Sequence, residues 1–389
     1  MLRVVTLSTL FPDVSRPNFG VFVERQTLSL AARDDVALTV VAPIGLPPGP
    51  AIGRYAPLAA LPLVEDWKGV TVHRPRFTVW PFTDGRFHAR AVEKAVARVL
   101  DSVAGRFDVI DASFFFPDGP AAVALGRRYG VPVSIKARGA DIHHWGTTSR
   151  TGAQVAAAGR AAVGLLAVSQ AMKADMVALG MPADRIRVHR TGVDLDRFAP
   201  ADRTLGKRAL GMTGPLVVAV GALIPRKGHD IVIEAVARLP GVSLRIAGEG
   251  PERTRLQGLI DHVGVSDRVR LLGAVPHADL PALFAAADAM ALASSSEGLA
   301  NVWVESLACG TPIVITDAGG AREVVTGDDS GRVVARTPDA FADAIVALLA
   351  DPPAAETVRR YAMGFTWQAN TDALHAHLTG LVARYSARG

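Results

Sequence analysis

The chain has 389 residues, 49% of them hydrophobic and 20% charged, with 37 glycines and 25 prolines spread along it at ordinary density. At roughly 100–200 residues per domain this length predicts two domains, and the apolar content excludes general disorder and collagen-like or low-complexity structure. A single cysteine, Cys309, excludes a disulfide framework, and the net charge of +5 is uneven: residues 1–200 carry 24 Lys+Arg against 17 Asp+Glu (+7) and the rest 18 against 20 (−2), so the first half would be drawn to anionic surfaces or substrates.

Residues 2–7 read as a first core strand; they lack the long apolar stretch and small-residue cleavage site of a signal peptide. Apolar, β-branched runs of strand length follow at 36–41, 109–110, 131–135, 164–168, 216–220, 243–246, 269–272, 289–292 and 312–315, with amphipathic helical stretches between them. Continuous apolar strands separated by helices indicate parallel sheets covered on both faces. The alternation runs twice. One series ends near residues 187–193, a second begins at 215–221, and residues 196–213, with Pro, Gly and mixed charge, read as a linker. The expected fold class is therefore α/β, with two Rossmann-like doubly wound domains, over 1–198 and 199–366, facing each other across a cleft. Residues 367–389 form a final helical segment. In such sheets ligands bind beyond the carboxyl ends of the strands. The longest apolar runs, such as 215–225, are about ten residues, half of the roughly 20 that a membrane helix needs, so the expected location is cytoplasmic.

In the first half, Arg86, Arg90, Lys94 and Arg98 recur every four residues. At about 100° per residue each step drifts about 40°, which leaves them in one stripe. Val92, Ala95, Val96, Val99, Leu100 and Val103 make the opposite, buried face. Arg74, Arg76, Trp80 and Phe82 precede the stripe. This face suits peripheral contact with anionic lipid on the inner face of the cytoplasmic membrane; an ordinary solvated basic helix gives the same pattern.

In the second half four loops leave strand ends. The first, Gly221-Ala222-Leu223-Ile224-Pro225-Arg226-Lys227-Gly228, puts adjacent cations between a strand and a helix. Arg supplies a planar fork and Lys a point charge for a diphosphate, although a solvated basic loop would look the same. Gly248-Glu249-Gly250-Pro251 and Asp317-Ala318-Gly319-Gly320-Ala321-Arg322-Glu323 permit close backbone approach, or are plain tight turns. The fourth, Ser294-Ser295-Ser296-Glu297-Gly298-Leu299-Ala300-Asn301-Val302-Trp303-Val304-Glu305, opens a helix whose first amides suit a phosphate. Glu297 and Glu305 suit vicinal hydroxyls of a ribose and a hexose; alternatively they are an N-terminal acid and a solvated helix residue. Asp194-Leu195-Asp196 has the spelling of a metal clamp but stands just before the linker, so no metal is expected. His143 and His144 are adjacent rather than metal-spaced, and Cys309 reads as a packing residue. Aromatics are 6%, and no zinc-finger, RNA-binding or helix-turn-helix signature speaks for nucleic acid.

Taken together, in this order and over nearly the whole chain, these motifs resemble the retaining GT-B glycosyltransferases of family 4, the "glycosyl transferases group 1" set. Glu297 and Glu305 match its E-x7-E motif, Arg226-Lys227-Gly228 its phosphate clamp, and Gly192-Val193-Asp194 with Phe198, and Phe11-Pro12 with Gly20-Val21-Phe22-Val23, further motifs. The resemblance implies a metal-independent enzyme that needs no cofactor, the nucleotide-sugar being a substrate, and that passes a hexose-type sugar to a saccharide or lipid-linked saccharide acceptor. Arg226 and Lys227 would neutralise the leaving diphosphate. Glu297, Gly298, Leu299, Ala300 and Asn301 would hold the donor sugar and Glu305 the ribose. Gly20, Gly250 and Val275 would also face the donor, while Arg138 and Asp141 would face the acceptor. Beside Val275, His277 stands where the family places nucleobase contacts; no acid there reads the amino edge of guanine, which favours uridine. Departures from the family pattern are Ala222 where Arg is frequent, Arg138 where His is frequent and Thr191 where Asn is usual. Two alternatives stay open: a nucleotide-sugar epimerase of similar fold, and a non-catalytic partner subunit that binds nucleotide-sugar. A dinucleotide dehydrogenase is disfavoured, since no Gly-x-Gly-x-x-Gly follows the first strand.

Overall fold

The computed structural model describes residues 1–17, 19–102 and 107–387; Val103, expected on the buried face of the basic helix, lies outside them. Contacts divide the chain into two units, residues 1–192 together with the helix Trp367–Ser386, and residues 193–366.

The first unit is built on ten strands: β1 (Leu2–Leu7), β2 (Val36–Val41), β3 (Ile44–Leu46), β4 (Val64–Trp67), β5 (Val70–His73), β6 (Arg76–Thr78), β7 (Val109–Ala112), β8 (Val133–Ala137), β9 (Gly164–Ala167) and β10 (Ile186–Val188). Eight form one sheet in the order β10-β9-β8-β7-β1-β2-β5-β4, and β3 pairs with β6. All pairs are parallel except β4 with β5. That hairpin turns at Lys68 (φ 55°) and Gly69 (φ 85°), both left-handed, as a tight two-residue turn requires. Central strands β7, β8 and β9 are buried along their whole length, which explains their mostly apolar spelling, although β7 carries Asp111 and β8 carries Ser134 and Lys136. The helix Trp367–Ser386 lays Leu374, Leu378 and Leu381, at four- and three-residue spacing, against Val4, Leu30, Val36, Val109 and Leu166 of this unit.

The second unit has a six-stranded parallel sheet in the order β13-β12-β11-β14-β15-β16: β11 (Leu216–Val220), β12 (Ser243–Ala247), β13 (Val269–Gly273), β14 (Ala289–Leu292), β15 (Ile313–Thr316) and β16 (Gly331–Val334). Its core joins Val217 and Ala219 of β11 to Val232, Ile233 and Val236 of the helix His229–Ala237 and to Phe341 and Ile345 of the helix Pro338–Ala350.

In each sheet the chain steps outward on one side of its founding strand and then returns to the other side. The reversal lies between β1 and β7 in the first unit and between β11 and β14 in the second. Such a switch point opens a crevice at the carboxyl ends of the two strands. The expected linker is not loop throughout: it contains the helix Arg203–Ala209, capped by the Asp202 carboxylate on the Leu205 amide at 3.0 Å. No residue of that helix is buried, so no apolar stripe announced it.

Candidate functional site

At the switch point of the second unit, the loop after β11 meets the loop after β14. The first loop makes a short helical turn, Pro225–Lys227, and leaves it through Gly228 in the left-handed conformation (φ 64°). A Cβ on Gly228 would lie 2.2 Å from the Ala293 carbonyl oxygen, so only glycine lets the two loops approach. The Ser295 amide then donates to the Arg226 carbonyl at 2.8 Å. Arg336, which the sequence did not single out, staples both loops, donating from Nε to the Ala293 carbonyl at 2.8 Å and from Nη2 to the Pro225 carbonyl at 3.2 Å.

This framework brings Lys227, Arg226 and Glu297 together. Lys227 Nζ stands 2.5 Å from Glu297 Oε1, and Arg226 Nη1 lies 3.4 Å from Oε2 while also donating to the Ser296 carbonyl. Ser294 Oγ donates to Glu297 Oε1 at 2.7 Å. The Glu297 side chain is only 9% exposed, Lys227 13% and Arg226 39%, so the ion pair is largely shielded from water while the Arg fork reaches solvent. Charge attraction in such a desolvated place is strong. A third loop holds Glu297 from below: Gly320 donates its amide to the Gly298 carbonyl at 2.8 Å, and a Cβ on Gly319 (φ 54°) would lie 2.1 Å from the Glu297 carbonyl oxygen. Leu299 and Ala300 are buried beside them. The helix Asn301–Ala308 begins without a side-chain cap, so its first-turn amides are not spent on a capping side chain.

Glu305, one turn into that helix and 8% exposed, pairs with His277 of the loop after β13, Nε2 to Oε1 at 2.8 Å. The His277 ring lies 5.2 Å from that of Phe198. Val275 is in the same loop and half-buried. Sequence reasoning marked His277 and Glu305 separately and missed their pairing, because 28 residues separate them. Gly250 belongs to the loop after β12, which is laced to the loop after β11: the Leu223 amide donates to the Glu249 carbonyl at 2.8 Å, and a Cβ on Gly250 would meet the Leu223 carbonyl oxygen at 2.4 Å. Beneath this lacing His229 is 2% exposed, and burial pushes its imidazole down to about 4.

In the first unit, Gly20 (φ 67°) caps the helix Val21–Ala31, and a Cβ there would fall 1.6 Å from the Leu10 carbonyl oxygen. Arg138, after β8, lies over the Phe22 ring at 4.7 Å and donates from Nε to the Ser113 carbonyl at 2.6 Å. It is half-buried, and desolvation draws its guanidinium down to about 10. Asp141 has no exposed surface. Its carboxylate accepts the amides of Arg138 (3.0 Å), Gly139 (2.7 Å) and Phe115 (3.0 Å). Through these bonds the carboxylate fixes the loop that carries Arg138. Below this loop lies a buried polar cluster that the sequence did not announce: Lys136 Nζ sits 2.9 Å from Gln26 Oε1 and 2.8 Å from His189 Nδ1, and Asp118 accepts the Thr9 amide at 2.9 Å. Burial pushes Asp118 up to about 7 and Lys136 well down.

Arg86, Arg90, Lys94 and Arg98 are all exposed, and Val92, Ala95, Val96 and Leu100 are buried with Ala89 and Ala97. Arg74 is a correction. It has no exposed surface, pairs with Glu65 and donates to the Pro12 carbonyl at 2.8 Å, so it adds nothing to the basic face.

Two family models match the chain: "Glycosyltransferase Family 4" over residues 21–197 and "Glycosyl transferases group 1" over residues 202–364. Among curated proteins, D-inositol 3-phosphate glycosyltransferase of Mycobacterium tuberculosis (strain ATCC 25618 / H37Rv) is 40% identical over 224 residues, which cover 54% of this chain and 46% of that protein. The chain thus spans about half the length of the curated relatives it matches. Among solved structures, sucrose-phosphate synthase from Thermosynechococcus elongatus superposes with a TM-score of 0.83 at 21% identity, covering 99% of this chain and 100% of that one. HepE of Anabaena in complex with UDP gives 0.76 at 22%, covering 98% and 100%. These neighbours share the α/β architecture with parallel sheets in two Rossmann-like domains, the GT-B fold. With its two units matched in turn by the family 4 and group 1 models, the chain belongs to the family 4 (group 1) glycosyltransferases.

Proposed function

We propose that this protein is a retaining, metal-independent glycosyltransferase that passes a hexose-type sugar from a UDP-sugar to a saccharide or lipid-linked saccharide acceptor. The observation that carries this reading is the contact of Lys227 and Arg226 with Glu297 at the switch point of the second sheet. When the sugar–phosphate bond breaks, negative charge grows on the leaving diphosphate. Two cations and an uncapped helix start then supply the stabilisation that another enzyme would take from a metal ion. Glu297, held by Ser294 and by the glycine loop below, keeps the cations in register before the donor arrives and offers a carboxylate to the donor sugar. The leaving phosphate oxygen would take the acceptor's proton on the face from which the acceptor attacks, so the anomeric configuration is retained. The Glu305–His277 pair, beside Val275, is suited to a ribose and base, and two HepE structures contain UDP and UDP-glucose.

The exposed basic stripe supports peripheral contact with an anionic membrane surface at the inner face of the cytoplasmic membrane. Arg90, Lys94 and Arg98 line a groove of about 490 Å³ with Arg76 and the half-exposed aromatics Trp80 and Phe87. No helix among the described residues is long and apolar enough to cross a membrane.

The test is a screen of UDP-, GDP- and ADP-sugars for transfer and for donor hydrolysis, with and without EDTA. The expected result is turnover of a UDP-sugar that survives EDTA, with the product anomer matching the donor. Binding without hydrolysis or transfer would favour a non-catalytic subunit; an epimerised donor would favour the epimerase.

A further inference from the structure

A second charged pocket lies in the first unit, at the amino ends of β9 and β10. This is the edge opposite the one from which the loops carrying Gly20 and Arg138 leave. The C-terminal turns of the helix Trp367–Ser386 close it, and its volume is about 370 Å³. Three guanidinium groups line it, Arg185, Arg187 and Arg384. Arg185 is anchored through Nη1 to the carbonyls of Arg160 (3.0 Å) and Ala162 (3.2 Å), which fixes its place and leaves its other donors. The side chains of Arg187 and Arg384 make no hydrogen bond or ion pair among the described residues. The one acid of the lining, Asp184, is exposed and pairs with none of the three.

The floor is His377, 2% exposed, with Nε2 3.2 Å from Ser134 Oγ and its buried Nδ1 without a partner. Burial first, and then the charges of Arg187 and Arg384, push this imidazole down to about 3. Burial accounts for most of that shift, and the two guanidinium groups act on the ring in the same direction. Three cations gathered around a concave space, two of them unpaired, repel one another unless an anion joins them. Guanidinium forks match the oxygens of a phosphate, and Tyr385 at the rim adds a hydroxyl and a ring face.

We propose that this pocket binds the phosphate group of a phosphorylated ligand, seated on Arg185, Arg187 and Arg384 with Tyr385 at its mouth. The site is separate from the loops around Lys227 and Glu297, and it does not depend on the donor reading. Its occupant ties the end of the helix Trp367–Ser386 to β10 and so fastens that helix to the first unit. Two chemical settings supply such a phosphate, a soluble ester or a lipid headgroup, and the test separates them.

Inorganic phosphate is titrated into the full chain at constant ionic strength, with chloride as the control. Because phosphate is also drawn to the diphosphate loops, the titration is repeated on Lys227→Ala. A saturable site should persist in Lys227→Ala and weaken at least tenfold in Arg187→Glu/Arg384→Glu, whose altered residues are exposed and whose fold is checked by circular dichroism; Arg187→Gln/Arg384→Gln serves if the reversal unfolds. Loss of all binding in Lys227→Ala, an affinity unchanged in the double variant, or an equal response to chloride would overturn the proposal. Given a confirmed site, sedimentation with phosphatidylglycerol vesicles that falls in the double variant assigns the phosphate to a lipid headgroup, and unchanged sedimentation assigns it to a soluble ester.

Discussion

Lys227 and Glu297 form a shielded pair whose members have different tasks, and substitution should separate them. Lys227→Ala removes the charge that meets a growing phosphate negative charge and should lower kcat about 100- to 1,000-fold, the usual scale for one lost transition-state donor. Glu305→Ala removes a charge-assisted contact at the expected ribose position, worth about 1.5–3 kcal/mol. It should raise the KM for nucleotide-sugar by about 10- to 100-fold with a smaller change in kcat, as steady-state kinetics would read. Gly319→Ala forces a Cβ against the Glu297 carbonyl at a left-handed backbone and should cost about 1–3 kcal/mol in urea unfolding. The cation pair, Glu297 and the glycines were legible in the sequence because they stand in loops that leave apolar strands, and Glu305 because it lies on the helix that the Glu297 loop opens. Arg336 and the His277–Glu305 contact were not, since the partners lie 43 and 28 residues apart and only the fold joins them. The same holds for Arg74. As a string it belongs with the exposed cations, and only the β4–β5 hairpin carrying Glu65 takes it inside.

Among the elements, the strands that could be read were those spelled as apolar-rich runs, even where one face is open, as in β13. β1, β2, β11 and β14 have the bounds their apolar runs predicted. β4, β5 and β6 escaped notice because they are three or four residues long and carry polar residues on an open face. The helix Arg203–Ala209 escaped because it packs through a glycine rather than a stripe: a Cβ on Gly206 would stand 2.9 Å from that of Ala286. Its stability therefore leans on its ends, and Asp202→Ala should cost about 1 kcal/mol, visible as a lower urea midpoint. For the basic helix His88–Ser102, reversing Arg90, Lys94 and Arg98 to Glu should abolish low-salt sedimentation with anionic vesicles. Unchanged sedimentation would remove the membrane reading.

For the molecule as a whole, buried titratable groups set opposing slopes of stability with pH. His229 and His377 have folded values near 4 and 3, below the ordinary 6.5. Their contribution is full above about pH 6.5 and is lost as pH falls toward those folded values, because the unfolded chain takes up the protons first. Asp118, raised to about 7, acts in the other sense: its contribution is full below about pH 4 and is lost as pH rises through 7. Thermal unfolding from pH 4 to 8 should therefore show an acid-side decline that is shallower in His229→Gln, and a rise in stability at neutral pH in Asp118→Asn, which keeps an oxygen for the Thr9 amide.

The seat of the helix Trp367–Ser386 also bears on how the protein is made. Val4, Leu30, Val36 and Val109 emerge from the ribosome early, yet the leucines that cover them are translated only after the whole of the second unit. During that interval the nascent first unit shows an uncovered greasy strip to water, an opening for holding chaperones. A fragment of residues 1–192 should accordingly bind a hydrophobic dye, and a synthetic peptide of residues 367–387 added in trans should quench that signal.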